Sequence, residues 1–137
     1  MYTIEPAAAL AERARDRFKD RANITVIEGT SEMTLEPLLR DIQGDVCFWL
    51  DGHFSSGPTF QGTADTPIVD ELDVIERNLT RLGRVVILVD DIRCFRSGEE
   101  GMSSYPTRSL LVEWADRLGF SWEIEQDIFI ANRAFSS

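Results

Sequence analysis

Two uninterrupted apolar runs, Val46-Cys47-Phe48-Trp49-Leu50 and Val85-Val86-Ile87-Leu88-Val89, constrain this chain more than any other feature in it. Such a run suits a strand covered on both faces, which puts the first of them at the centre of a sheet. Both stop abruptly at aspartate, Asp51 after the first and Asp90-Asp91 after the second.

Around these runs, strand-like and helix-like segments alternate, as in a parallel sheet covered by helices. Tyr2 to Ile4 reads as a short strand. Pro6 then opens a helix to about Ala22 that buries Leu10, Ala14 and Phe18. A second strand runs from Ile24 to Ile27, and Thr34 reads as the N-cap of a short helix through Leu35, Leu38, Leu39 and Ile42. Residues 54–65 form a Ser, Gly, Pro and Thr-rich loop, long enough to be functional. Thr66-Pro67 caps a helix that turns Ile68, Leu72 and Ile75 inward. A further loop, 93–105, leads through Pro106 into a helix that buries Leu110, Leu111, Trp114 and Leu118 and ends at Gly119. Alternation in Trp122-Glu123-Ile124-Glu125 and Ile128-Phe129-Ile130 predicts a terminal antiparallel pair at one side of the sheet. The expectation is a single α/β domain over residues 1–137 with a mostly parallel sheet.

Charge narrows the partners. With 24 acidic against 14 basic residues the formal charge is -10, so nucleic acid and anionic membrane surfaces are repelled. Lys19 is the only lysine, and it falls on the first helix. That excludes a phosphoacceptor receiver domain, which needs a late lysine and an acidic pair ahead of the single aspartate. Cys47 and Cys94 lie in or beside apolar runs and read as small hydrophobes in a reducing compartment. The N-terminus lacks a basic region followed by a long apolar stretch, and no apolar segment approaches membrane-spanning length. The expected location is the cytoplasm.

In open parallel sheets ligands bind beyond the carboxyl ends of the strands, which here are marked by Glu5, Gly29, Asp51 and Asp90. If the two apolar strands are neighbours their ends lie about 5 Å apart, bringing Asp51, Asp90 and Asp91 within reach of one cation. Magnesium is commonly held by a few carboxylates with waters and substrate oxygens. His53, the only histidine, follows at the same rim and could act as a general base. A competing reading needs no ligand: aspartates at strand ends form turns and caps, and Glu5 before a helix is stabilised by the helix dipole.

Tyr2-Thr3-Ile4-Glu5-Pro6 with the following helix, then Asn23-Ile24-Thr25-Val26-Ile27-Glu28-Gly29-Thr30-Ser31, resembles the second and third strands of class I S-adenosylmethionine-dependent methyltransferases. Phe48-Trp49-Leu50-Asp51-Gly52-His53-Phe54-Ser55 with Ile87-Leu88-Val89-Asp90-Asp91 is similar to the fourth and fifth strands of a small-molecule O-methyltransferase subgroup that includes macrolide-sugar enzymes. The resemblance implies a Rossmann-like sheet with helices on both faces. It also implies a small hydroxylated methyl acceptor. By the same resemblance Glu5 would bind the cofactor ribose, with Gly29, Thr30 and Ser31 also at the cofactor and the last two near its adenine. Asp51, Asp90 and Asp91 would bind magnesium or manganese, and His53 would be the base.

One departure matters. The family's first strand and glycine-rich turn precede the acidic strand, whereas this sequence begins at the second strand and contains no Gly-x-Gly. The missing strand would lie between those ending at Glu5 and Asp51, leaving two inner edges to fill. Direct pairing of the flanking strands, a segment from a second copy, or an upstream region could fill them. The expected assembly is therefore a homo-oligomer or a complex with a strand-supplying partner. The alternative function is a non-catalytic methyltransferase-like domain for binding or dimerisation that has lost its cofactor.

Overall fold

The computed structural model describes residues 1–51, 66–96 and 106–134. In chain order they form β1 (Tyr2–Glu5), α1 (Ala8–Arg17), β2 (Thr25–Glu28), α2 (Ser31–Arg40), β3 (Gly44–Leu50), α3 (Ile68–Asn78), β4 (Leu82–Val89), a 3-10 turn (Ile92–Cys94), α4 (Arg108–Arg117), β5 (Ser121–Glu125) and β6 (Ile128–Arg133). The protein is α/β, with its strands in two pieces. β1 and β2 form a parallel pair, and β3-β4-β6-β5 form a mixed sheet in which only β3 and β4 run parallel. The antiparallel β5–β6 pair lies at one side of that sheet, as its alternating pattern predicts.

One face of the four-stranded sheet carries the core. Register aligns Phe48 with Ile87 and Ala131, and Leu50 with Val89 and Phe129. All six are buried, and Leu35 and Leu39 of α2, Ile68, Leu72 and Ile75 of α3, and Leu111, Trp114 and Ala115 of α4 belong to the same cluster. Helix α1 packs instead on β1 and β2, while Ile4 of β1 rests against the main core.

The expectation that β3 is central and covered on both faces is corrected. It is an edge strand of its sheet, with Cys47 exposed and Trp49 58% exposed. Behind them on the same face, Val86, Leu88 and Ile130 are only half-buried. An apolar run therefore marked a strand correctly and its neighbours wrongly, because coverage depends on what lies beside and above it.

Helix boundaries moved for local reasons. Helix α1 begins at Ala8 and ends at Arg17, shorter than the apolar spacing predicts. In α2 the N-cap position falls at Thr30 instead of Thr34, whose hydroxyl donates back to the Thr30 carbonyl at 2.7 Å inside the first turn. Thr66 Oγ1 accepts from the Ile68 amide at 3.3 Å at the start of α3, and Thr107 Oγ1 accepts from the Leu110 amide at 3.3 Å at the start of α4. Gly119 ends α4 with φ +76°, a conformation glycine adopts without a Cβ penalty.

Candidate functional site

The parallel pairing of β3 with β4 continues past the strands, the Asp90 amide donating to the Leu50 carbonyl at 3.1 Å. Asp51 and Asp90 therefore leave adjacent strands side by side. Together with Asp91 they form a group in which one carboxylate oxygen from each lies within 4.8 Å of the others. Asp51 is exposed, Asp90 is half-buried, and Asp91 is 9% exposed.

The turn after β4 is built to hold this geometry. Asp90 Oδ1 accepts the Asp91 amide at 2.8 Å, and Asp91 sits in the left-handed region with φ 55° and ψ 43°. A non-glycine residue there needs local support. Part comes from Arg93, which pairs with Asp91 Oδ1 at 2.5 Å and also with Asp127. Asp127 lies in the β5–β6 turn, where Gln126 and Asp127 both have positive φ. Its carbonyl accepts the Ile92 amide at 3.0 Å, and its Oδ1 accepts the Arg93 amide at 2.9 Å. Desolvation pushes the Asp127 carboxyl up, but the backbone and guanidinium donors of Arg93 outweigh it and hold the group below its ordinary value. Arg108 Nε donates to the Ile92 carbonyl at 3.2 Å, tying the same turn to α4.

Sequence reading missed Asp127 as the anchor of the acidic turn. The only trace of it was the two-residue gap between alternating runs, a hairpin signal that says nothing about a partner more than thirty residues away. Cys94, in the same turn, carries a thiol pushed up by burial, which disfavours the nucleophilic thiolate.

Glu5 ends β1 opposite Glu28 of β2, and its Oε1 accepts the Ala7 amide at 2.8 Å, fixing the carboxylate at the approach to α1. The Gly29 amide donates to the Glu5 carbonyl at 3.1 Å, so the turn that begins α2 is tied to the end of β1. Gly29 has φ +151°, and a Cβ there would stand 2.7 Å from Thr34 Cγ2. Thr30 and Ser31 follow at the start of α2. The expected residues thus fall into two groups at strand ends, Glu5 with Gly29, Thr30 and Ser31 in one and the three aspartates in the other. His53 lies outside the described residues, as do Gly52 and the loops read at 54–65 and, from 97 onward, at 93–105.

β1 and β3 do not pair with one another. The direct pairing of these two strands, one of the expectations from the sequence, is not observed. Among the described residues no helix is long and apolar enough to cross a membrane. No protein-family model matches the chain, and a search of curated proteins finds no match either.

Proposed function

We propose that this chain is a Rossmann-like methyltransferase domain, or part of one. It would transfer a methyl group from S-adenosylmethionine to a hydroxyl of a small molecule with help from magnesium or manganese. The observation that carries this reading is the convergence of Asp51, Asp90 and Asp91 within 4.8 Å at the ends of adjacent parallel strands. Their donor set suits a hard cation, which prefers oxygen ligands. Bound there, such a cation supplies Lewis-acid stabilisation of a substrate oxygen.

The chain's own residues then have distinct tasks. Asp90 holds the Asp91 backbone and offers a carboxylate to the site. Arg93 shares Asp91 with it, so cation binding competes with an ion pair that is already formed. Glu5, oriented by the Ala7 amide, would accept from a ribose hydroxyl. Gly29, Thr30 and Ser31 would lie at the cofactor, the last two near its adenine, and His53 would remove the acceptor's proton.

A second reading is favoured by a different observation. Among the described residues β1 and β3 each have a partner on one side only, and Trp49 is exposed on β3. That arrangement, with no Gly-x-Gly in residues 1–137, supports a non-catalytic domain that associates through its strand edges. Titration calorimetry with S-adenosylhomocysteine, with and without magnesium, separates the two. Cofactor binding strengthened by magnesium supports the enzyme. No binding of either sinks it and leaves the association domain.

A further inference from the structure

Helix α4 carries Leu110, Glu113 and Trp114 at helical spacing, and α3 carries Val69, Leu72 and Asp73 in the same way. These two stripes line a groove of about 330 Å³. Leu72 and Trp114 are buried and form its floor, whereas Val69 is 43% and Leu110 37% exposed. The spacing of α4 predicts Leu110 in the core; instead it lines this groove in contact with solvent. Two aliphatic side chains from different helices thus stand open to water above a buried indole, the kind of apolar patch that marks an interaction surface.

The polar groups of the groove fall into two sets. Arg117, which also lines it, donates to both oxygens of Glu76 at 2.6 and 2.8 Å, and the Trp114 indole N–H donates to Glu76 at 3.1 Å. Asp73 and Glu113, one on each helix, are exposed and make no hydrogen bond or ion pair among the described residues. With Arg117 and Glu76 as a neutral pair, the groove keeps two negative charges beside its apolar floor.

We propose that the α3–α4 groove docks a basic amphipathic helix of a partner protein. Leu110 to Arg117 spans two helical turns, about 10 Å, which matches apolar anchors at i, i+3, i+4 and i+7 of a docked helix. Those anchors cover Val69 and Leu110, and lysines or arginines beside them meet Asp73 and Glu113. The apolar contact supplies affinity, and the two carboxylates select the sign of the partner. A second copy of this chain fits less well, because each copy carries a charge of -10 and the two repel. A small molecule in so open a groove would leave much of its surface in water, unlike ligands of built pockets. The groove shares no residue with the two strand-end groups, so docking needs neither a cofactor nor a metal.

The test uses two synthetic helical peptides of about 15 residues, one with leucine anchors flanked by lysines and one with glutamate in place of every lysine. In NMR titrations at low salt the lysine peptide should shift the Val69, Leu110 and Glu113 amides and the Trp114 indole signal saturably, and bind about tenfold tighter than the glutamate peptide. Net charge alone would produce that preference, so the deciding variant combines Asp73→Lys with Glu113→Lys. Both positions are exposed, and the chain keeps a net negative charge, yet the preference should vanish or reverse. Leu110→Ser should weaken the lysine peptide by about fivefold. An unchanged preference in the double variant, unchanged affinity in Leu110→Ser, or shifts centred away from the groove would overturn the proposal. So would the absence of saturable binding to the unsubstituted protein, a result that requires no variant to fold.

Discussion

Glu71 and Glu76 stand on the same helix, α3, and their carboxyl groups are pushed in opposite directions. Burial raises Glu71, whereas the Arg117 guanidinium of α4 lowers Glu76. Arg117 reaches both Glu76 oxygens, at 2.6 and 2.8 Å, and Trp114 Nε1 donates to Oε2 at 3.1 Å. One helix thus carries two carboxyls of opposite pH response.

For Glu76 the folded value lies below the ordinary 4.5, so its contribution is present above 4.5 and is lost as pH falls through the lowered value. Glu76→Ala leaves the indole N–H of the buried Trp114 unpaired and should destabilise by about 2 kcal/mol near neutral pH. Glu76→Gln keeps an acceptor and should lose about 1 kcal/mol. Urea unfolding at about pH 7 and about pH 3 measures both. Equal losses at the two pH values would contradict the assignment.

Asp90→Asn tests the acidic cluster with little disturbance to the turn. The amide oxygen can still accept from the Asp91 amide, so what changes is one negative charge among three carboxylates. Manganese affinity, followed by paramagnetic resonance, should fall by about tenfold or more. Unchanged affinity would mean that the aspartates serve only as turn residues.

Gly29→Ala should destabilise the junction of β2 and α2 by about 1 to 3 kcal/mol. The new Cβ would lie 2.7 Å from Thr34 Cγ2, and Thr34 cannot turn away without losing its bond to the Thr30 carbonyl. Pairing the change with Thr34→Ser removes the methyl and keeps the hydroxyl. Thermal unfolding of the double variant should recover part of the loss, the φ strain remaining.

Light scattering after size exclusion tests the edges of β1 and β3. Under the proposed association the chain runs as a dimer, more so at high salt, because two copies of charge -10 repel. Trp49→Lys adds a charge to an exposed position of the β3 edge strand and should yield a monomer. A monodisperse monomer of the unsubstituted chain at every salt concentration would end that proposal.

Much of the fold was legible in the residues themselves. The runs ending at Leu50 and Val89 are β-prone and apolar enough to be strands in almost any context, and Asp51 and Asp90-Asp91 had to follow them. Their convergence needed one further fact, that β3 and β4 are parallel neighbours in register. Neither run names its neighbour, so the convergence becomes a distance only in the fold.

What composition and periodicity could not supply was the identity of neighbours. Trp49 and Leu88 sit in equally apolar runs and pair with one another, yet Trp49 is exposed because β3 lies at an edge. Glu71 looks like a surface residue by type, and only the tertiary packing of the face of α3 that carries Ile68, Leu72 and Ile75 buries it. Asp127 supports Asp91 through Arg93 because the β5–β6 turn comes to rest beside the end of β4. Local sequence determines which segments become strands and helices, since propensity and side-chain period act over a few residues. Burial, charge pairing and proton affinity depend on atoms that are close in space and distant in the chain, and the tertiary structure alone decided those.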